Sequence, residues 1–302
     1  MIKKAIFLGS KKLGLAVLET LVESNNDVEW KILCPDDLND QRSNFIDFEN
    51  FAKNHSIEIK IVNSNKDILH ATSSFKPEII FGSGYYRILS NEVLNSVPLG
   101  VYGIHNSILP KYRGGSPLVW QLINGEKIVG ASLFKLEEGM DDGGIVETVK
   151  IKNDNFEIGK ILNLLEKEWQ RILPEIWSNF CNGNITLTEQ NHKDATYCSQ
   201  RNENDGEINW NNSSEYIDRF IKAQSNPYPL AFINYRNQKL KISKHEIDKR
   251  KIYGEPGQVF ETNENFVVVC CKNGDGIRIS EIIVDGNPIK PSKYLNSFKI
   301  RL

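Results

Sequence analysis

Long apolar runs are missing from this 302-residue chain. None approaches the ~18–20 residues of a membrane-spanning helix, so no membrane partner is expected. The start, Met1 to Gly9, is basic at Lys3 and Lys4, but its apolar stretch is too short for a secretory signal and reads as a first strand. A surplus of one charge is missing as well. Lys and Arg number 37 against 39 Asp and Glu, a formal net charge of −2. That excludes a chain built mainly to coat nucleic acid or anionic membrane, although a local basic patch stays open. Metal motifs are absent. Cys34, Cys181, Cys198, Cys270 and Cys271 contain no Cys-x-x-Cys, and His55, His70, His105, His192 and His245 contain no His-x-His or His-Glu-x-x-His. No catalytic metal is expected. An odd cysteine count with no secretion signal fits a reducing cytoplasm. The run Gly9-Ser10-Lys11-Lys12-Leu13-Gly14 is neither Gly-x-Gly-x-x-Gly nor a P-loop, which argues against both kinds of phosphate cradle. No internal repeat or low-complexity tract is present.

The first half does contain an alternation of short apolar runs with helix-like stretches. Lys4–Leu8, Val28–Cys34, Glu58–Val62, Glu78–Phe81 and Leu99–Ile104 read as strands. Helices are expected over Leu13–Val22, up to about Lys53, over Ile68–Ser74 and over Asn91–Ser96. This β-α-β order predicts an α/β, Rossmann-like, mostly parallel sheet, with ligands at the carboxyl ends of its strands. Gly130–Leu136 and Ile145–Ile151 read as two further strands joined by an acidic, glycine-rich loop. Ile158–Phe180 predicts a long helix with Ile161, Leu164, Leu165, Trp169, Ile172 and Ile176 on one face and a kink at Pro174. Beyond a polar stretch, one helix from Ser214 and five short strands predict a small, OB-like β-barrel. The expected domains are residues 1–200 and 201–302.

Chemistry concentrates in two loops. The first, Gly103-Ile104-His105-Asn106-Ser107-Ile108-Leu109-Pro110-Lys111-Tyr112-Arg113-Gly114-Gly115, sets a histidine directly after a strand. The second is Glu137-Glu138-Gly139-Met140-Asp141-Asp142-Gly143-Gly144. Paired aspartates between glycines make either a solvated turn or, if Asp141 folds back on His105, a histidine–carboxylate couple. Such a couple takes a proton from an attacking amine and donates to a developing oxyanion. Ser10 begins either a plain strand-to-helix turn or a contact for a polar ligand at the helix N-terminus.

With both loops in view, the chain resembles the formyltransferases that use N10-formyltetrahydrofolate. His105, Ser107, Leu109, Pro110, Arg113 and Gly114 match the family's first segment, and Gly139, Asp141 and Gly143 match its second. Tyr85-Tyr86-Arg87 looks like the folate-side loop of the aminoarabinose formyltransferase. Arg201–Trp210 and Ile221–Phe232 are similar to the start of the family's C-terminal barrel. The resemblance implies His105 and Asp141 as catalytic residues. It implies a pterin pocket bordered by Tyr85, Tyr86, Arg87 and Ile88 on one side and by Glu138, Met140 and Asp142 on the other. The alternative for the two tyrosines is packing beneath their own loop. The family's Asn two residues before the histidine is Gly103 here. Asn106 points to the opposite face of an extended segment, so Ser107, Ser83 or a water remain as stand-ins. Losing one oxyanion donor costs roughly 10²–10³ in rate, which leaves weakened activity, or binding without turnover, as a further class. Retention of both His105 and Asp141 argues against the latter.

The expected acceptor is the primary amine of a nucleotide-linked amino sugar, with a place in lipopolysaccharide or O-antigen synthesis. Ser10, Lys11 and Arg113 would reach the diphosphate or sugar, unless Arg113 ties its loop to backbone carbonyls. Methionyl-tRNA ranks second. Residues 201–302 hold 16 Lys/Arg against 13 Asp/Glu, only mildly basic, and their one concentrated patch, Lys239, Lys241, Lys244, Lys249, Arg250 and Lys251, reads as a solvated barrel edge; the resembled tRNA enzymes carry a basic insertion in the first domain, none is found here, and the link Asp36 to Glu49 is acidic. A hydrolase ranks third. A homodimer is compatible with the sequence, though nothing in it fixes one.

Overall fold

The computed structural model describes residues 2–25, 27–40 and 42–302, so Met1 in the leading stretch, Asn26 and Gln41 lie outside the described residues. The chain divides into two compact units. The first comprises residues 1–117, 128–152 and 161–199, and the second comprises 118–127, 153–160 and 200–302.

In the first unit, five strands run parallel: β1 (Lys4–Gly9), β2 (Glu29–Pro35), β3 (Glu58–Val62), β4 (Ile79–Ser83) and β5 (Val101–His105). Between them lie α1 (Lys11–Ser24), α2 (Phe45–Asn54), α3 (Asn65–Phe75) and the one-turn α4 (Asn91–Leu94). The short β6 (Arg113–Gly114) follows, then β7 (Ile128–Lys135) and β8 (Ile145–Lys152), α6 (Ile158–Cys181) but for residues 158–160, and β9 (Tyr197–Cys198); α5 (Pro117–Ile123), between β6 and β7 in the chain, belongs to the second unit but for Pro117. The sheet order is β3-β2-β1-β4-β5-β7-β8, with β7 and β8 antiparallel. The mostly parallel Rossmann-like sheet is thus present. Strand alternation sends Ile6, Leu8, Ile80 and Val101 into one core layer with Ile68, Ala71 and Phe75 of α3. On the opposite face Phe81 and Tyr102 meet Trp177 and Phe180 of α6 edge-on. Apolar residues on successive positions therefore bury both faces, as a doubly covered sheet requires.

The strand order reverses between β1 and β4, which opens a crevice at their carboxyl ends. Backbone approach there is close. A Cβ at Gly9 would lie 2.0 Å from the Ser83 carbonyl oxygen, so no larger residue fits.

The second unit contains α7 (Ser214–Lys222) and β10 (Phe232–Tyr235), β11 (Gln238–Asp248), β12 (Val259–Thr262), β13 (Val267–Cys270), β14 (Gly276–Val284) and β15 (Asn287–Ile289). They form an antiparallel sheet in the order β10-β11-β14-β13-β12, with β15 against β14. The sequence had suggested a short strand at Leu240–Lys244. Instead β11 runs eleven residues and bends through register shifts at Ile242–His245, the local device by which a sheet curls. α5 was not expected, because Pro-Leu-Val-Trp-Gln-Leu-Ile is apolar on every side and gives no helical period. α6 is assigned as helix without a break through Pro174, which sits on its exposed side.

Candidate active site

His105 ends β5, where alternation puts it on the same sheet face as Val101 and Gly103. The glycine-rich loop after β7 folds back over that face. It brings Asp141 Oδ2 to 3.5 Å from His105 Nδ1. The other ring nitrogen, Nε2, lies 2.8 Å from the Tyr112 carbonyl oxygen. A carbonyl only accepts, so Nε2 carries the proton and Nδ1 is the nitrogen left for chemistry. Asp141 has φ of +49°, a left-handed conformation that few residues other than glycine adopt. Its Oδ2 accepts from the Gly114 N–H at 2.8 Å. Gly114 must be glycine: it has φ of +97°, and a Cβ would lie 2.5 Å from the Cys198 carbonyl oxygen. The Arg-Gly pair of the first loop therefore carries a backbone contact to the second. Cys198 donates from Sγ to the Arg113 carbonyl at 3.4 Å, and burial, with the Asp141 charge second, pushes its thiol up to about 11.

Arg113 is 2% exposed and does not face solvent. Its Nη2 and Nε donate to Gln190 Oε1 at 2.7 and 3.2 Å. Gln190 in turn donates from Nε2 to the carbonyls of Asp141 (2.9 Å) and Gly143 (2.8 Å). Of the two roles open to Arg113, the geometry is that of the loop tie. Gln190 was not singled out from the sequence. It sits in a polar stretch without periodicity, and only its partners identify it.

Ser10 and Lys11 lie at the β1–α1 turn, and both are engaged within the unit. The Ser10 hydroxyl donates to buried Asp37, and Lys11 Nζ lies 2.5 Å from Asp37 and 2.8 Å from Asp40. Burial alone would raise the Asp37 carboxyl. Hydrogen bonds from Lys11, Ser10 and Ser43 outweigh it and hold the group below the usual carboxylate range.

The residues assigned to the pterin side divide by exposure. Tyr85 is half-buried against the core, stacks on Tyr86 at 6.4 Å, and has its phenol pushed up by burial. Arg87 donates to the Asn63 carbonyl. Tyr86, Ile88 and Met140 are 57%, 90% and 59% exposed, large apolar side chains left uncovered in the two loops. Glu138 is exposed. Asp142 packs over Gly139, and its Oδ1 is buried with no hydrogen-bond partner among the described residues. Of the stand-ins considered for the missing Asn, Ser107 is fully buried and donates to the Lys111 carbonyl at 2.7 Å. It holds its own loop. No cluster of metal-binding side chains occurs among the described residues, nor any helix long and apolar enough to cross a membrane.

Residues 4–175 match a family profile described as formyl transferase, and residues 201–299 match its C-terminal domain. The methionyl-tRNA formyltransferase of Kosmotoga olearia is 31% identical over 295 residues, covering 95% of this chain and 93% of that protein. Its counterpart in Clostridium beijerinckii is 30% identical over 239 residues, 78% of this chain and 76% of that protein. Among solved structures, HypX from Aquifex aeolicus in complex with tetrahydrofolic acid has a TM-score of 0.66 at 15% identity, over 98% of this chain. This chain spans 47% of that protein's length. An N-formyltransferase from Helicobacter canadensis, in complex with folinic acid and dTDP-3-aminofucose, has a TM-score of 0.65 at 18% identity, covering 93% of this chain and 99% of that one. Both establish a shared fold.

These findings correct the expected acceptor. Curated relatives that align with most of the chain are methionyl-tRNA formyltransferases, which overturns the nucleotide-linked amino sugar and the lipopolysaccharide role attached to it. The geometry supplies a physical reason. The sugar reading needed Lys11 and Arg113 as cations for a diphosphate, and both are held by internal partners. A mild net charge does not exclude tRNA, because phosphate contacts depend on where individual cations lie.

Proposed function

The chain belongs to the formyl transferase family and is an enzyme that transfers a formyl group; from that premise we propose that it moves the group from N10-formyltetrahydrofolate to the α-amino group of methionyl-tRNA. The observation that carries the acceptor is the similarity to methionyl-tRNA formyltransferases along nearly the whole chain. In the second unit, Lys251, Lys272, Asn273 and the 89%-exposed Tyr253 line an open cleft of about 510 Å³. Cations beside an exposed aromatic ring suit a nucleic-acid strand.

The donor's pterin would lie against Tyr86, Ile88 and Met140, whose apolar surface water otherwise covers. Asp142 Oδ1 supplies an acceptor for a pterin N–H. The neutral amine attacks the formyl carbon, a C–N bond forms, and the carbonyl oxygen takes the electron pair. His105 Nδ1 takes the proton that the new ammonium loses, and the Nδ1–H so made donates to the oxyanion, with the Asp141 carboxylate beside it offsetting the charge on the ring. Collapse of the intermediate breaks the bond to N10, which leaves with a proton returned from the pair. Holding the imidazole falls to the Tyr112 carbonyl, so the Asp141 carboxylate is free to offset the charge that His105 gains.

The test is formyl transfer from N10-formyltetrahydrofolate to charged initiator tRNA, with His105→Ala and Asp141→Asn as variants. We expect the wild type to formylate the methionyl group and each variant to lose roughly 10²–10⁴ in kcat. Wild-type protein that leaves charged tRNA unmodified while releasing tetrahydrofolate would overturn the acceptor.

A further inference from the structure

We infer that Gln190 is a positioning residue for formyl transfer: its side-chain amide sets the place of the Asp141 carboxylate. This rests on the reading of His105 and Asp141 as the reacting pair.

Gln190 is 6% exposed, and all of its hydrogen-bonding capacity is used. Arg113 can only donate, so the amide oxygen must face it. The Asp141 and Gly143 carbonyls can only accept, so the amide nitrogen must face them. The amide thus has one allowed orientation, enforced from both ends. It joins the loop that carries His105 to the loop that carries Asp141. A second tie, from the Gly114 N–H to Asp141 Oδ2, originates one residue from Arg113. Asp141 is therefore gripped at its backbone carbonyl and at its carboxylate by neighbouring parts of one buried assembly. The left-handed backbone at Asp141 needs such a grip, since a non-glycine residue reaches that region at a cost and stays there only when its surroundings hold it. At 3.5 Å from Nδ1, the carboxylate sits at the edge of useful contact. A displacement of about 1 Å in a catalytic group costs on the order of 10²-fold in rate.

Truncating Gln190 would strand the buried Arg113 charge and risk unfolding. Gln190→Glu avoids this. It keeps an acceptor for Arg113 and adds a charge that favours the pairing, but it presents an oxygen to two carbonyl oxygens where an N–H is needed. The loop must then retreat. We expect Q190E to remain folded, with its thermal midpoint close to wild type. Its kcat for formyl transfer should fall ~10–100-fold, with KM for N10-formyltetrahydrofolate changed less than threefold. In an Asp141→Asn background the same substitution should add almost nothing, because the group it positions has gone. A merely structural role predicts the reverse, equal losses in both backgrounds together with a lowered midpoint. Equal losses, or a Q190E kcat within twofold of wild type, overturn the inference while His105→Ala and Asp141→Asn each keep their own large loss in kcat. If those two variants stay active, the reacting pair is wrong and the inference falls with it.

Discussion

At position 103 the chain has no side chain, and Leu136 fills the space one would need. A Cβ there would come within 2.7 Å of Leu136 Cδ1. The sequence marks Gly103 as a departure from the family pattern but gives no sign of what replaces the missing amide. The replacement is a leucine 33 positions later, outside both motifs. We expect Gly103→Asn to destabilise the first unit by about 1–3 kcal/mol through overpacking. Adding Leu136→Ala should recover part of that loss, with a coupling of about 1 kcal/mol in urea melts. Strict additivity of the two changes would show that they do not compete for the same space. The same contrast applies to the proposed reacting pair. His105 and Asp141 stand out in the sequence because each lies in a loop rich in glycine and turn residues. Gln190 does not, because a polar residue among polar residues carries no pattern, and its partners Arg113, Asp141 and Gly143 lie 77, 49 and 47 residues away.

Among the elements, α6 shows how far periodicity reaches. Its bounds differ by one residue from those expected, and Ile161, Leu165, Trp169 and Ile176 are buried as the helical spacing requires. Leu173, Trp177 and Phe180 are also buried, while Leu164 and Ile172 are only partly so. The buried stripe drifts around the helix because it must cover a twisted sheet. Trp177 is the centre of that cover, with ring contacts to Trp30 at 5.1 Å, Phe180 at 6.1 Å and Phe81 at 6.5 Å. Its Nε1–H is buried without a hydrogen-bond partner among the described residues. Trp177→Ala should cost about 3–5 kcal/mol. Trp177→Phe keeps a ring and removes the orphaned N–H, so it should cost less than half as much. Denaturant midpoints of the two variants distinguish them, and equal losses would mean that the indole nitrogen has a partner in solution.

On the scale of the whole molecule, each unit has its own acid-sensitive anchor, which in the first is buried Asp37. In the second unit it is Asp218, 3% exposed, which accepts from Asn155 at 2.7 Å and Lys222 at 2.9 Å, with His245 Nε2 at 3.0 Å. Burial pushes this carboxyl up, but its partners, His245 first, prevail and bring it down to about 2. A depressed carboxylate stabilises the fold fully above its unfolded value near ~3.9 and loses that contribution as pH falls toward 2. Asp218→Asn should therefore cost the unit about 2 kcal/mol at neutral pH and flatten its stability between pH 4 and pH 2. Amide exchange in α7 and β11 reads this directly, and an unchanged acid limb would sink the assignment. The scaffold of the first unit has a different reach. Similarity to the first family profile ends at residue 175, whereas Gln190 and the β9 strand that pairs with β6 come later, and the unit itself runs to Ser199. A chimera that exchanges C-terminal regions between relatives must therefore be joined after Ser199. A junction between residues 175 and 190 would replace Gln190, which ties the carboxylate loop to buried Arg113, with a residue of the other parent.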